Sequence, residues 1–404
     1  MCTRAAFWRL GWLLVWMLAA PGVSLDAAPP ASQPPAARLA VDPLDWPMWR
    51  GPEQNGISRE TNLPDTWDPS DEASGQVLWK RDDLGGISTP IVMHGRVYTI
   101  VRSKPETPAE GEKVVCVDAA SGKTVWERLN NVFLSDCPAE RIGWSCVVGD
   151  PAENRLFSCG ANGYFQCLDA GTGDVIWSRP LNEEFGLLST YGGRTNFPLV
   201  FEDLVIVSGV MTNWGEQAVP AHRMLGLKKD TGEVVWFNGT QLRPEDATYS
   251  TPAIGVVNGQ QIMVFGSGDG GVWALQPRTG KPLWCFQLSI RGNDASPVID
   301  DNVVYMGTSE ENFGDSTMGS VLAINPLAAP DPNGKKIVST GGQTVPNITG
   351  TGEIWRVRER MVGKCSLCVV DDPKFGKRVY AADMGGKLYV IDAKTGEDVC
   401  KPVK

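Results

Sequence analysis

The side chains best able to do chemistry in this 404-residue chain are its ten cysteines and two histidines. Cys365-Ser-Leu-Cys368 has the spacing of a redox or metal pair, but no His follows it, which excludes c-type haem attachment. On a strand, residues three apart point to opposite faces, so the pair is read as inert rather than as a chelate or local disulfide. His94 and His222 stand far apart without a second ligand nearby, and no zinc site is expected. Neither a Cys-Cys pair nor a Gly-x-Ser-x-Gly, His-Glu-x-x-His or phosphate-loop motif occurs. A second set mixes donors with aromatic faces: Trp144, Arg194, Asn196, Tyr249, Arg291, Asp294 and Lys364. Such a set suits an anionic, planar or sugar-like ligand if the fold brings it together; the alternative is that these side chains only satisfy loop carbonyls.

The elements that would position them are announced by a returning phrase, a turn ending in Gly followed shortly by Trp. It reads Ser121-Gly-Lys-Thr-Val-Trp126, Thr172-Gly-Asp-Val-Ile-Trp177, Thr231-Gly-Glu-Val-Val-Trp236 and Thr279-Gly-Lys-Pro-Leu-Trp284, with a leading copy at Trp79 and a shortened one at Trp355. A seventh copy ends in Cys400. Successive Trp residues lie 47, 51, 59, 48 and 71 residues apart, the period of a propeller or solenoid.

Short apolar runs precede each turn. The clearest unit reads Ser250-Thr-Pro-Ala-Ile-Gly-Val, Gln261-Ile-Met-Val-Phe-Gly-Ser, Gly271-Val-Trp-Ala-Leu and Lys281-Pro-Leu-Trp-Cys-Phe, with Gly, Asn, Asp and Pro between the runs. These are strands joined by hairpin turns. No long helical period follows residue 30, so a helical solenoid is excluded. The chemistry implies an all-β propeller of four-stranded blades, six units visible, with the Trp strand outermost. Blades that small bury their faces only against one another. Trp79, Trp126, Trp177, Trp236, Trp284 and Trp355 are therefore structural docking residues. Asp118, Asp169 and Asp392 fit a turn role, their carboxylates accepting from backbone N–H groups further on. Cys116 and Cys167 stand two residues before the turn Asp, where other units have Ala274, Ala323 and Val390, and are read as small buried hydrophobes. The Pro-rich segment 325–350 is expected as a surface loop between the third and fourth strands of the fifth unit.

The Asp-Ala-x-Thr-Gly-x-x-x-Trp phrase, with Ser/Thr-Pro opening the inner strand, resembles the PQQ-type repeat over roughly residues 75–400. That repeat builds quinoprotein dehydrogenase propellers and, in reduced form, the propeller lipoprotein of the outer-membrane barrel-assembly machinery. Asp45-Trp-Pro-Met-Trp-Arg-Gly-Pro-Glu-Gln-Asn-Gly-Ile-Ser58 also resembles the opening of secreted bacterial PQQ-like propeller proteins. The resemblance implies an eight-bladed ring. With six units present, the ring is expected to be gapped, the chain incomplete at its C-terminus, and apolar surface exposed on the first and last units.

Arg4 and Arg9, the apolar run Leu10–Ala20 and the small residues Gly22 and Ser24 describe a Sec-type signal peptide over 1–24. The run is too short for a stable membrane span after cleavage. Residues 25–44 read as a Pro/Ala-rich linker and 45–404 as the propeller, in a periplasmic or secreted protein. The net charge is −10 and becomes more negative without the leader's arginines, with no basic run. That argues against nucleic acid and anionic lipid. Removal of the leader leaves nine cysteines, an odd number, so one thiol at least lacks a partner within the chain.

For function, the resemblance supplies a checklist for a quinoprotein: a vicinal disulfide, an acid acting as base, and ligands for Ca²⁺. The absent Cys-Cys pair and the short chain favour a non-catalytic scaffold that binds a protein, glycan or small anionic ligand through its funnel, with no cofactor. The alternative is a PQQ-dependent oxidoreductase with Ca²⁺ and a reduced site. Catalytic and metal residues are accordingly none. Arg194, Asn196, Arg291 and Lys364 are expected to gather as one central cationic cluster.

Overall fold

Hairpin-length linkers force each apolar run to pair with the next, and the sheets follow chain order. The structure is a computed structural model that describes residues 38–70, 75–132, 142–187, 197–212 and 218–404. Sheet 1 holds β1 (Ile91–Met93), β2 (Arg96–Ser103), β3 (Gly111–Asp118) and β4 (Thr124–Asn131). Sheet 2 holds β5 (Val147–Asp150), β6 (Arg155–Cys159), β7 (Tyr164–Asp169) and β8 (Val175–Pro180), followed by the short helix α1 (Leu181–Phe185). Sheet 3 holds β9 (Leu199–Phe201), β10 (Leu204–Met211), β11 (Ala221–Lys228) and β12 (Val234–Leu242). Sheet 4 holds β13 (Ala253–Val257), β14 (Gln260–Gly266), β15 (Gly271–Leu275) and β16 (Pro282–Gln287).

Sheet 5 starts with β17 (Val298–Asp300), β18 (Val303–Glu311) and β19 (Met318–Ile324). It then detours through a hairpin of β20 (Ile337–Val338) and β21 (Thr344–Val345) before its fourth strand, β22 (Glu353–Arg358). Sheet 6 has three strands, β23 (Cys368–Asp372), β24 (Gly376–Ala382) and β25 (Leu388–Asp392). Residues beyond it run back along β25, where Asp398 and Val403 bridge to Ile391 and Leu388. All strand pairs within the sheets are antiparallel, and the fold is the all-β arrangement of four-stranded blades expected from the repeats.

Burial explains the stacking. Five apolar clusters each lie between two consecutive sheets, from sheets 1 and 2 (Tyr98, Ile100, Leu156, Leu168) to sheets 5 and 6 (Tyr305, Val321, Val379, Ile391). First strands neighbour first strands, β1 beside β5 beside β9 and β13 beside β17 beside β23, which puts them innermost. Among the described residues no such cluster joins sheet 6 to sheet 1. One face of β24 is buried through Val379 and Ala381, while its other face leaves Arg378 and Tyr380 half-buried.

The repeated Trp and Gly act on each other across sheets. Trp79, Trp126, Trp177, Trp236 and Trp355 lie on Gly122, Gly173, Gly232, Gly280 and Gly396 of the following sheet's turn. A Cβ on any of these glycines would stand between 2.3 and 2.8 Å from the indole. Each indole N–H also donates to the carbonyl next to the turn: Ala119, Ala170, Lys229, Pro277 or Ala393, at 2.8–3.1 Å. Asp118, Asp169 and Asp392 brace the same turns by accepting from backbone N–H groups two or three residues on.

Three expectations need correction: a strand at Trp79, the dock of Trp284, and a surface loop over 325–350. Trp79 docks like the others, but residues 75–80 form no strand. Trp284 is buried between sheets 4 and 5, yet the glycine it should cover, Gly352, meets Ile348 instead. The cause is segment 325–350, which has no helix but is more than a surface loop. Ile337, Val345 and Ile348 are buried, and residues 346–348 pair along β16 through Cys285, covering that sheet's outer edge.

A matched pair of substitutions separates docking from backbone conformation. Gly232 (φ +71°) lies under Trp177, whereas a Cβ placed on Gly259 (φ +76°) would meet nothing within 4 Å. Gly259→Ala should cost about 1–2 kcal/mol for the left-handed conformation alone, and Gly232→Ala about 1–3 kcal/mol more for displacing the indole. Urea denaturation measures both; equal losses would contradict Trp docking as the fixed point between sheets.

Candidate functional site

In a ring of sheets the inner strands leave an axial channel, which is where a ligand would be enclosed. Here the chain's own segment Asp45–Ile57 runs through it. Trp46 bridges to Val92 of β1, and the Pro47 carbonyl accepts from Gly149 of β5 at 2.7 Å. The Trp49 ring meets Phe197, just ahead of β9, edge-on at 5.1 Å. Gln54 Oε1 accepts from the Ile254 amide of β13 at 2.8 Å. Arg50 reaches the last two sheets, donating to the carbonyls of Pro297 (3.1 Å) and Leu367, and it also donates to Asn55 of its own segment (3.0 Å). One short stretch that touches the inner edge of all six sheets can only lie on the axis.

Arg50 is nearly fully buried and burial lowers its pKa, while the Cys368 thiol beside it acts in the opposite sense. Three carbonyls accept from its five N–H donors, which offsets part of the cost of burying the guanidinium. The space left beside Met48 and Trp49, about 20 Å³, suits one water. The sequence offers one signal for this segment, two tryptophans and an arginine directly after a Pro-rich linker, and that signal says nothing of an axial role.

Sequential antiparallel strands place the loops before each first strand and the hairpins between second and third strands at the same end of the molecule. At that end three of the expected site residues meet. The Lys364 ammonium lies 3.5 Å over the Tyr249 ring, and the Tyr249 amide donates to Asp294 Oδ1 at 3.1 Å. Burial raises the Asp294 pKa to about 6; the Tyr249 N–H and Lys364 pull it down, and Asp246 and Glu310 push it up.

The expected cationic cluster is therefore mixed in sign where it can be seen. Arg291 is exposed on the adjoining loop, where its carbonyl accepts from Ser289 Oγ at 2.6 Å. Trp144 lies elsewhere, in a recess of about 540 Å³ with Asp82, Asp83 and Arg102. Arg194 and Asn196 fall outside the described residues.

Cys116 and Cys167 are buried as read from sequence, whereas Cys365 stands in the loop before β23 and only Cys368 is on the strand, both half-buried. Cys116, Cys146, Cys159, Cys167 and Cys285 are buried, and burial raises the pKa of every one, to about 11 for Cys146 and about 12 for Cys159 and Cys167. Cys365 and Cys368 are both free thiols. His94 sits in a hairpin turn at φ +53° against the Pro151 carbonyl. His222 is wholly buried edge-on to Phe265, and burial lowers its pKa to about 4. Among the described residues no three His, Cys, Asp or Glu side chains converge as a metal site.

The mouth can be tested through Asp294. Its folded pKa of about 6 exceeds the ordinary carboxyl value of about 4. The native state therefore binds the extra proton between those pH values, and stability falls as pH rises through that window. Asp294→Asn keeps the acceptor for Tyr249 and removes the charge. The variant should be about 1–3 kcal/mol more stable than wild type at pH 7, with the gap closing by pH 4. Denaturation across that range checks it; a gap that persists at pH 4 contradicts the assignment.

Residues 110–360 match the family model described as outer membrane protein assembly factor BamB. The outer membrane protein assembly factor BamB of Shewanella oneidensis is 26% identical over 339 residues, covering 82% of this chain and 72% of its own length. A polyvinylalcohol dehydrogenase from a Pseudomonas species is 22% identical over 324 residues, 64% of this chain but only 51% of that protein. The solved structure of BamB from Moraxella catarrhalis superposes with a TM-score of 0.43 at 15% identity, covering 75% of this chain and 77% of the other. Relatives thus include both an assembly factor and a dehydrogenase. With the family model matched over more than half of its length, the chain belongs to the PQQ-type repeat propellers of the BamB family.

Proposed function

We propose that this protein is a non-catalytic, extracytoplasmic binding scaffold that presents partners with the loop face around Tyr249, Asp294 and Lys364. The observation that carries the reading is the filled axis. A quinone cofactor is a rigid planar polyanion, and it needs an enclosed slot with cations and metal ligands around it. Here the axial space is taken by Trp46, Met48, Trp49 and Arg50, and Arg50 is held inward by the carbonyls of Asn55, Pro297 and Leu367. The residues present on the axis do not fit PQQ and Ca²⁺.

Kinship with an outer membrane protein assembly factor supports a role in binding other proteins. The leader-like residues 1–24 support an extracytoplasmic location. Arg291, on the adjoining loop, Trp144, in its own recess, and Arg194 and Asn196, outside the described residues, remain proposed ligand contacts. An acidic protein with a mixed-charge mouth suits a partner segment that carries both charges.

Titrating the purified protein with PQQ and Ca²⁺ tests the reading. The expected result is no saturable change in quinone absorbance and no alcohol-dependent dye reduction. Stoichiometric quinone binding coupled to dye reduction would overturn it in favour of the oxidoreductase.

A further inference from the structure

Sheet 5 departs from its neighbours in one respect. Its third and fourth strands are separated by residues 325–352, where sheets 1 to 4 manage with a tight turn. Connections of that length are uncommon in compact domains, and this one carries its own hairpin, β20–β21. This one is also ordered by its own contacts: Asn347 donates to the Lys335 carbonyl at 3.0 Å, the Asp331 amide donates to the Asn347 carbonyl at 2.7 Å, and Asp331 Oδ1 accepts from Asn333.

The loop walls a recess of about 440 Å³ against sheets 3, 4 and 5. That volume lies within the range of roughly 300–1,000 Å³ found for small-molecule sites. The recess lies radially outside the mouth, because its floor comes from the outer strands β12 and β16 through Gln241 and Gln287.

Its chemistry is specific. Planar carboxylate and amide groups (Asp269, Asp331, Gln241, Asn333) face a half-exposed aromatic ring, Phe313, with the Lys335 ammonium 5.9 Å from the ring centre. The floor is pre-organised: Asp269 accepts from the Trp273 indole N–H and from the Gln241 backbone N–H, both at 3.1 Å. Gln287 Nε2 is fixed on the carbonyls of Asp269 and Ser289 at 2.8 and 2.9 Å. Two lysines, Lys335 and Lys336, balance two aspartates, so the recess has no net charge to select a phosphate or a cation.

We infer that this recess binds a short neutral oligosaccharide. Vicinal hydroxyls both donate and accept, which a ring of carboxylate, amide and ammonium groups satisfies from several sides. The apolar C–H face of a pyranose covers an aromatic ring, as Phe313 provides. The inference goes beyond the scaffold reading and does not depend on it, since the mouth residues take no part.

The test is calorimetric titration of the full chain with chitotriose, maltotriose, cellotriose and xylotriose, and separately with inorganic pyrophosphate. One trisaccharide should bind saturably, and Phe313→Ala and Gln241→Ala should each weaken it at least tenfold. Both variants should keep the wild-type melting temperature, because Phe313 is exposed and Gln241 sits at a strand end. If Gln241→Ala melts early, Lys335→Ala serves as the second variant, with the same tenfold loss expected. Failure of all four saccharides to bind, binding unaffected by the variants, or pyrophosphate binding that the variants abolish would each overturn the inference.

Discussion

A four-stranded sheet of this size has two apolar faces and no means of covering either by itself, so every sheet here depends on its neighbours. The spacing between them is set where an indole ring from one sheet lies on a glycine in the next sheet's turn. That contact demands a residue with no Cβ for two separate reasons, positive φ and the ring directly above, and it adds a hydrogen bond from the indole to the turn carbonyl. Five repetitions of one geometry fix the angle between sheets, and with it the convergence of the first strands around an axis. Once the axis exists it must be filled, or the apolar inner edges stay wet. Asp45–Ile57 fills it.

The filling segment also limits the space that remains at the centre. Relatives that bear this repeat include an assembly factor and a dehydrogenase, and the repeat does not distinguish them, because its Trp, Gly and Asp residues are all used in docking and turns. In this chain a buried arginine ties the carbonyls of the fifth and sixth sheets to the N-terminal segment, closing from within a ring whose first and last sheets share no apolar cluster among the described residues. In the proposed reading, recognition falls to the loop face and to the recess walled by residues 325–352.

Sequence was informative wherever the cause of structure was local and repeated. The Gly-x-x-x-Trp phrase, the hairpin dipeptides and the alternating strands sufficed for the sheets, their order and the five regular docks. The inert cysteines followed too, since a thiol on a strand two residues before a turn Asp has nowhere to point but the core. What escaped was non-local. Nothing in Trp46-Pro-Met-Trp-Arg says that Arg50 will meet Pro297 and Leu367, hundreds of residues away. Trp284 carried the right phrase but lost its glycine to Ile348, because the insertion reroutes the turn. At the mouth, the candidate set held Asp294 but not Asp246 and Glu310, whose charges act on Asp294 alongside Lys364 once the loops converge.

The central claim is that the N-terminal segment occupies the axis in solution, and amide hydrogen exchange reads it directly. The Trp46 amide bonds the Val92 carbonyl, and the Gly149 and Ile254 amides bond Pro47 and Gln54 of the segment. With the axis filled, peptides covering 45–57 and the start of β5 should exchange as slowly as the central strands β10 and β14, and Arg50→Ala should accelerate both peptides together. Exchange of 45–57 within seconds in the wild-type protein, while β10 and β14 stay protected, would contradict the account and leave the channel open to a ligand.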